Sequence, residues 1–196
     1  LEEVKLPNPE QFKYNNLTLE ELKELLSEIM IKILGENHAS EITYLNGLLH
    51  PTRTSEMFDA ITEEEIVAHE FVPKRIHINR QLATIQVAST GHEYIHALLS
   101  KYKGHNFNKH LTNIHYNELL SVLTEYVIVY ELSQILKDKS LREKHSILRA
   151  KHDKDHALEH KAADGLSTKY VLFILTNSLL YLIPTSAKVQ AIPILT

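Results

Sequence analysis

Apolar residues recur at helical spacing along most of this chain, and that periodicity limits its possible folds more than any other feature. Between Thr18 and Gly35, the residues Leu22, Leu25, Leu26, Ile29 and Ile33 fall on one face. Thr18 and Glu21 have capping-box spacing, and Gly35 supplies the stop. The segments Tyr116–Lys137 and Gln81–Tyr102 also read as helices, as do Glu41–Leu49, Thr54–His69, Leu141–His160 and the apolar Ser167–Ile183. Glu63, Glu64 and Glu65 then fall on a solvated helical face, while residues 1–16 and the polar stretch Gly104–Asn113 read as irregular. One strand signal stands out: Lys74-Arg75-Ile76-His77-Ile78-Asn79, which alternates polar and β-branched residues after Pro73. With only five glycines and abundant Lys, Glu, Leu and Ile, the expected fold is mostly α, one domain over 1–196 with a minimal β element at 74–79.

Composition removes several function classes. A net charge of −4, with no run of Lys and Arg, argues against a dedicated nucleic-acid binder. The absence of cysteine excludes disulfides, thiolate metal ligands and a cysteine nucleophile, and is compatible with the cytosol. Residues Leu1 to Glu10 are acidic and contain Pro7 and Pro9, which is not the pattern of a signal peptide, so a cytoplasmic location is expected. The chain opens on Leu1 rather than Met, as a processed or excised fragment does. Val171 to Ile183 is apolar but interrupted by Thr176, Asn177 and Ser178, and it is shorter than the roughly twenty residues a spanning helix needs, so no membrane span is expected. A glycine-rich phosphate loop and a Gly-x-Ser-x-Gly elbow are both missing. Thirteen histidines point instead towards a metal.

The sequence His92-Glu93-Tyr94-Ile95-His96 locates that metal. On a helix, positions i and i+4 share a face, so two imidazoles can reach one cation. A Glu at i+1 projects beside them, where it can take a proton from a metal-activated water. A hydrolytic zinc site also needs a third protein ligand and an open fourth position. Glu118, twenty-two residues after His96 at the start of a separate helix, is the candidate. Ser121 and Glu125 follow it at three and seven positions, on one face, which places Glu125 to hydrogen-bond a ligating histidine from behind.

Together, His92-Glu93-Tyr94-Ile95-His96 and Glu118-Leu119-Leu120-Ser121-Val122-Leu123-Thr124-Glu125 resemble the M3 family of zinc metallopeptidases, gluzincins that include thimet oligopeptidase and oligoendopeptidase F. The family pattern is a His-Glu-x-x-His helix and then a Glu-x-x-Ser-x-x-x-Glu helix whose first Glu binds zinc. The resemblance implies a zincin-like helical domain, with a helical part over 1–73 and the zinc-site core over 74–183. Gly165-Leu166-Ser167-Thr168-Lys169-Tyr170 resembles the family's Gly-Tyr-x-x-x-Tyr segment, which implies Tyr170, with His160, as donors to the oxyanion. The chain departs from the family at Ile95, where a Gly is usual, and at Leu166 and Phe173, where tyrosines are expected. Family members are also about three times longer.

Other histidine groups carry less. His69-Glu70-Phe71-Val72-Pro73 begins like the motif but lacks a second histidine, and Pro73 would end a helix there. His152, His156 and His160 recur every four residues on a charged, solvated face, and His105, His110 and His115 do not share one. The sequence therefore predicts a Zn2+-dependent metallopeptidase acting on a peptide or protein substrate. Zinc is expected on His92, His96 and Glu118, with Glu93, Tyr170 and His160 catalytic and Glu125 in support. The strand Arg75–Arg80 is expected to pair with the extended substrate. Two other classes fit the same residues: a zinc-binding regulatory or binding module with weakened catalysis, and a helical structural protein carrying the motif by accident.

Overall fold

The first helix follows its sequence signals closely. In α1 (Leu19–Leu34), Thr18 Oγ1 accepts from the Glu21 backbone N–H at 3.2 Å, and Glu21 Oε2 accepts from the Thr18 N–H at 2.7 Å. Gly35, at φ 87°, ends the helix by donating its N–H to the Ile31 carbonyl. The computed structural model describes residues 17–53, 60–67, 70–79, 84–109, 111–152, 171 and 173–175. Within them a short 3-10 turn (Glu36–His38) leads to α2 (Ala39–Leu48), followed by strands β1 (Leu49–Arg53), β2 (Ile61–Val67) and β3 (Glu70–Asn79). Helices α3 (Thr84–Lys109), α4 (Leu111–Leu136) and α5 (Leu141–His152) complete the described order. The protein is mostly helical with one small sheet, as expected.

Two expected elements are different. The segment read as a helix over Thr54–His69 contains β2, an antiparallel partner of β3 from Ile61↔His77 to Val67↔Glu70. Its β-branched Ile61, Thr62, Ile66 and Val67 suit a pleated strand. Glu63 is drawn to Lys74 (3.3 Å) and His77 (2.6 Å), and Glu65 to Lys74 (3.8 Å), so these carboxylates meet sheet neighbours rather than water alone. A register shift between Glu63 and Glu64 lies opposite Pro73, which has no N–H to give the ladder. The second difference is Gly104–Asn113, where α3 runs on to Lys109 and α4 begins at Leu111. Once a long helix exists, each further residue adds a hydrogen bond at little cost, and polar composition alone does not stop it. The expected segments 1–16 and 153–160, and most of Ser167–Ile183, lie outside the described residues.

The sheet order is β1-β3-β2, with β1 parallel to β3, so the strand expected to receive substrate is the central one. Ile76 and His77 are paired on both sides, which corrects the expected pairing of the Arg75–Arg80 stretch with a peptide; among the described residues β1 and β2 are the edge strands. Ile76 and Ile78 of β3 are buried in the core that also holds Leu98 and Leu99 of α3 and Leu22, Leu26 and Ile29 of α1. Tyr94 Oη donates to Asn46 Oδ1 at 2.7 Å, and Asn46 Nδ2 donates to Ser27 Oγ at 2.8 Å, tying α3 through α2 to α1. Tyr102 Oη donates to Glu41 at 2.8 Å and fixes the same helix one stretch further on. Residues Tyr116–Leu136 of α4 are long and apolar enough to cross a membrane by length and composition. Most of that stretch is buried inside the protein, as in the core helix of a globular fold.

Candidate metal centre

Helices α3 and α4 meet along a seam made possible by one glycine. An added Cβ at Gly91 would lie 1.9 Å from Ile128 Cδ1, so only glycine lets the two helices come this close in the present packing. Next to it, His92 and His96 stand one turn apart on α3 and face Glu118 on α4. His92 Nε2 and His96 Nε2 are 2.9 Å apart; Glu118 Oε1 lies 3.2 Å from the first and Glu118 Oε2 lies 3.2 Å from the second. Among the described residues this is the group of donors placed to hold a metal, with all ligand atoms within 4.8 Å of one another.

The chemistry of the donor set fits zinc. Two ligands at zinc-to-nitrogen or zinc-to-oxygen lengths sit about 3.4 Å apart around a tetrahedral ion, against 2.9 Å between the imidazole nitrogens and 3.2 Å from each to Glu118 here. Two imidazole nitrogens facing each other are poor partners without a cation or a shared proton between them. Glu118 and Glu125 bring two negative charges into a buried place, which one divalent cation matches; buried charges are paired or coordinate metals.

Both histidines are held from behind. His96 Nδ1 lies 3.0 Å from Asn117 Oδ1; an amide oxygen only accepts, so the proton sits on Nδ1 and Nε2 is turned to the site. His92 Nδ1 approaches Glu125 Oε2 at 3.3 Å, an ion-pair contact without good hydrogen-bond alignment. Glu125 Oε1 in turn meets His145 Nε2 at 2.9 Å. Burial on its own would lower the His92 pKa, but the attraction of the Glu118 and Glu125 carboxylates outweighs it and raises it to about 10. For Glu118, burial would raise the carboxyl, yet His92 and His96 hold it well below the usual carboxylate range. Without metal, then, the centre is a buried imidazolium–carboxylate pair.

Glu93 turns the other way, towards the sheet. Its Oε2 accepts from the Thr62 backbone N–H at 3.0 Å and from Thr62 Oγ1 at 2.5 Å. Glu93 is not one of the clustered donors. His92, Glu118 and Glu125 are buried, whereas Glu93 and His96 are partly exposed.

The structure thus brings together His92, His96, Glu118 and Glu125, with Glu93 one residue along the same helix. Tyr170 and His160 lie outside the described residues, as do His110 and His156. Three residues were missed from sequence. Asn117 adjoins Glu118 and could have been found by asking what holds His96. Thr62 was hidden in a segment read as helix. His145, twenty residues beyond Glu125 on α5, has no motif to mark it. Comparison with protein-family models, with curated proteins and with solved structures gives no match.

Proposed function

We propose that this protein is a zinc-dependent metallopeptidase of gluzincin type, in which His92, His96 and Glu118 hold the metal. The observation that carries the reading is the convergence of those three donors across two helices, with Glu93 set apart from them and hydrogen-bonded to the neighbouring strand. The resemblance of both motifs to the M3 metallopeptidases supports the same assignment.

Zinc bound there supplies Lewis acidity, lowering the pKa of a water towards neutrality and polarising the carbonyl to be attacked. The chain's own groups do the remainder. Glu93 accepts the proton of the attacking water and delivers it to the leaving amine, which requires a carboxylate aimed beside the metal rather than at it. The two Thr62 hydrogen bonds fix that aim. Among the described residues β2 is an edge strand, the kind of edge that an extended peptide can pair with, and its contact with Glu93 supports a peptide bound beside that carboxylate. Buried Glu125 and Asn117 keep the two imidazoles turned to the site.

The test is Glu93→Gln, which keeps shape and removes the base. The zinc content of this variant is expected to equal the wild type's, while hydrolysis of unstructured peptide substrates falls by at least about a hundredfold, the low end for general-base loss. Zinc loss comparable to His96→Ala would make Glu93 a ligand and overturn the division of roles. Wild-type protein that takes up zinc but cleaves no peptide would leave a zinc-binding module.

A further inference from the structure

Glu125 uses its two oxygens differently. Oε2 lies 3.3 Å from His92 Nδ1, and Oε1 lies 2.9 Å from His145 Nε2, with both Glu125 and His145 at 1% exposure. Because a carboxylate only accepts, the proton of the second contact belongs to His145 Nε2. The terminal torsion of a glutamate has a broad, roughly two-fold profile, so a carboxylate held at one oxygen can still swing. His145 supplies a second hold from a different helix. Its own ring is fixed edge-on against Tyr126, at 5.3 Å between centroids and 89° between planes. The Arg142 guanidinium lies 5.9 Å from the centre of the same tyrosine ring. A chain of contacts therefore runs from α5 through Glu125 to the ring nitrogen of His92 that faces away from the metal.

We propose that His145 is a positioning residue of the metal centre: by donating to Glu125 Oε1 it fixes the carboxylate that orients His92, and so tunes metal affinity from a helix that bears none of the ligands. The proposal rests on the metallopeptidase reading only through its metal ligands and needs no peptidase activity. Partners behind a metal's ligands commonly change metal affinity by about ten- to a hundredfold when removed. A histidine that merely stapled α5 to α4 would change the melting temperature and leave the folded protein's affinity alone.

The experiment measures zinc affinity by chelator competition, with the absorption spectrum of the cobalt-substituted protein as a second readout. His145→Leu keeps bulk and removes the donor, and its zinc affinity is expected to fall about tenfold or more, with a shifted cobalt spectrum. His145→Gln restores a donor and is expected to recover most of that loss. Adding His145→Leu to Glu125→Gln should cost little beyond Glu125→Gln alone, since both act through one contact. A folded His145→Leu protein with wild-type affinity and cobalt spectrum overturns the proposal. Should that variant fail to fold, the ring-nitrogen resonances of His145 in the wild type decide: they move on zinc saturation if the chain of contacts is real, and unchanged resonances overturn it. Wild-type protein that takes up no zinc is a different failure, that of the metal site itself.

Discussion

His92 meets a carboxylate at each ring nitrogen, so in the metal-free protein it carries the proton that zinc must displace. Its folded pKa is raised to about 10 from an ordinary 6.5, and the sign of the pH dependence follows. Stability from the ion pair is fully present below pH 6.5 and is lost as pH rises through about 10. Metal-free protein should therefore melt at progressively lower temperature as the pH is taken from 8 to 11, while zinc-loaded protein should not. Titration calorimetry at pH 8 in buffers of differing ionisation enthalpy should show at least about one proton released per zinc, because a ligating imidazole nitrogen must be unprotonated and a zinc-bound water of near-neutral pKa adds to the release. Zero release would show that His92 is already neutral. Thr62 is a second residue to probe. Thr62→Val removes one of two donors to Glu93 and keeps the backbone N–H, so kcat should drop about tenfold, the scale of one hydrogen bond to a charged group, with zinc content unchanged. An unaltered kcat would show that the N–H alone positions Glu93. Of these residues, His92 and His96 were legible in sequence because i,i+4 spacing on a helix is a local property, and Glu118 through the Glu-x-x-Ser-x-x-x-Glu pattern that begins a second helix. Thr62, Asn117 and His145 matter only through what the tertiary fold sets beside them, and no spacing rule reaches that far.

Helices α3 and α4 carry all three donors, so the centre is only as good as their seam. Gly91→Ala would thrust a methyl group at Ile128 Cδ1, a fully buried atom with Leu26 Cδ2 also nearby. Overpacking of this kind costs about 1–3 kcal/mol, against roughly 1 kcal/mol returned by alanine's better helix propensity, so the net effect is a modest destabilisation. Ile128→Val deletes the offending methyl. The double variant is expected to be more stable in urea than Gly91→Ala alone, and the reverse order would place the close approach elsewhere. Sequence conveyed these elements unevenly. The helix α1 was readable down to both caps, the cores of α3 and α4 were readable as helices, and α5 was readable as a charged helix expected to run on to His160. Strands β1 and β2 were not: β1 is short and contains Pro51, and the glutamates of β2 suit a helix as well as a strand. What makes β2 a strand is pairing with β3 and the attraction of Lys74 and His77, and both are contacts across the sheet. The continuation of α3 through Gly104 and Asn106 was masked by residues that usually mark loops.

Across the whole molecule the proposed centre is a clamp. Its ligands come from two helices that are held together only in the folded chain, so zinc should bind the native state and not the unfolded one. At a free zinc concentration about a hundredfold above Kd, that linkage is worth about 2.7 kcal/mol, or roughly 5–10 °C in Tm for a chain of this size. The central claim is that His92, His96 and Glu118 make one metal site, and elemental analysis tests it most directly. Protein purified without a histidine tag, incubated with zinc and cleared of free metal, is expected to hold about one zinc per chain, as a single three-ligand site does, and His96→Ala almost none. Wild-type protein that remains metal-free, or a His96→Ala variant with the wild type's zinc content, would contradict the account.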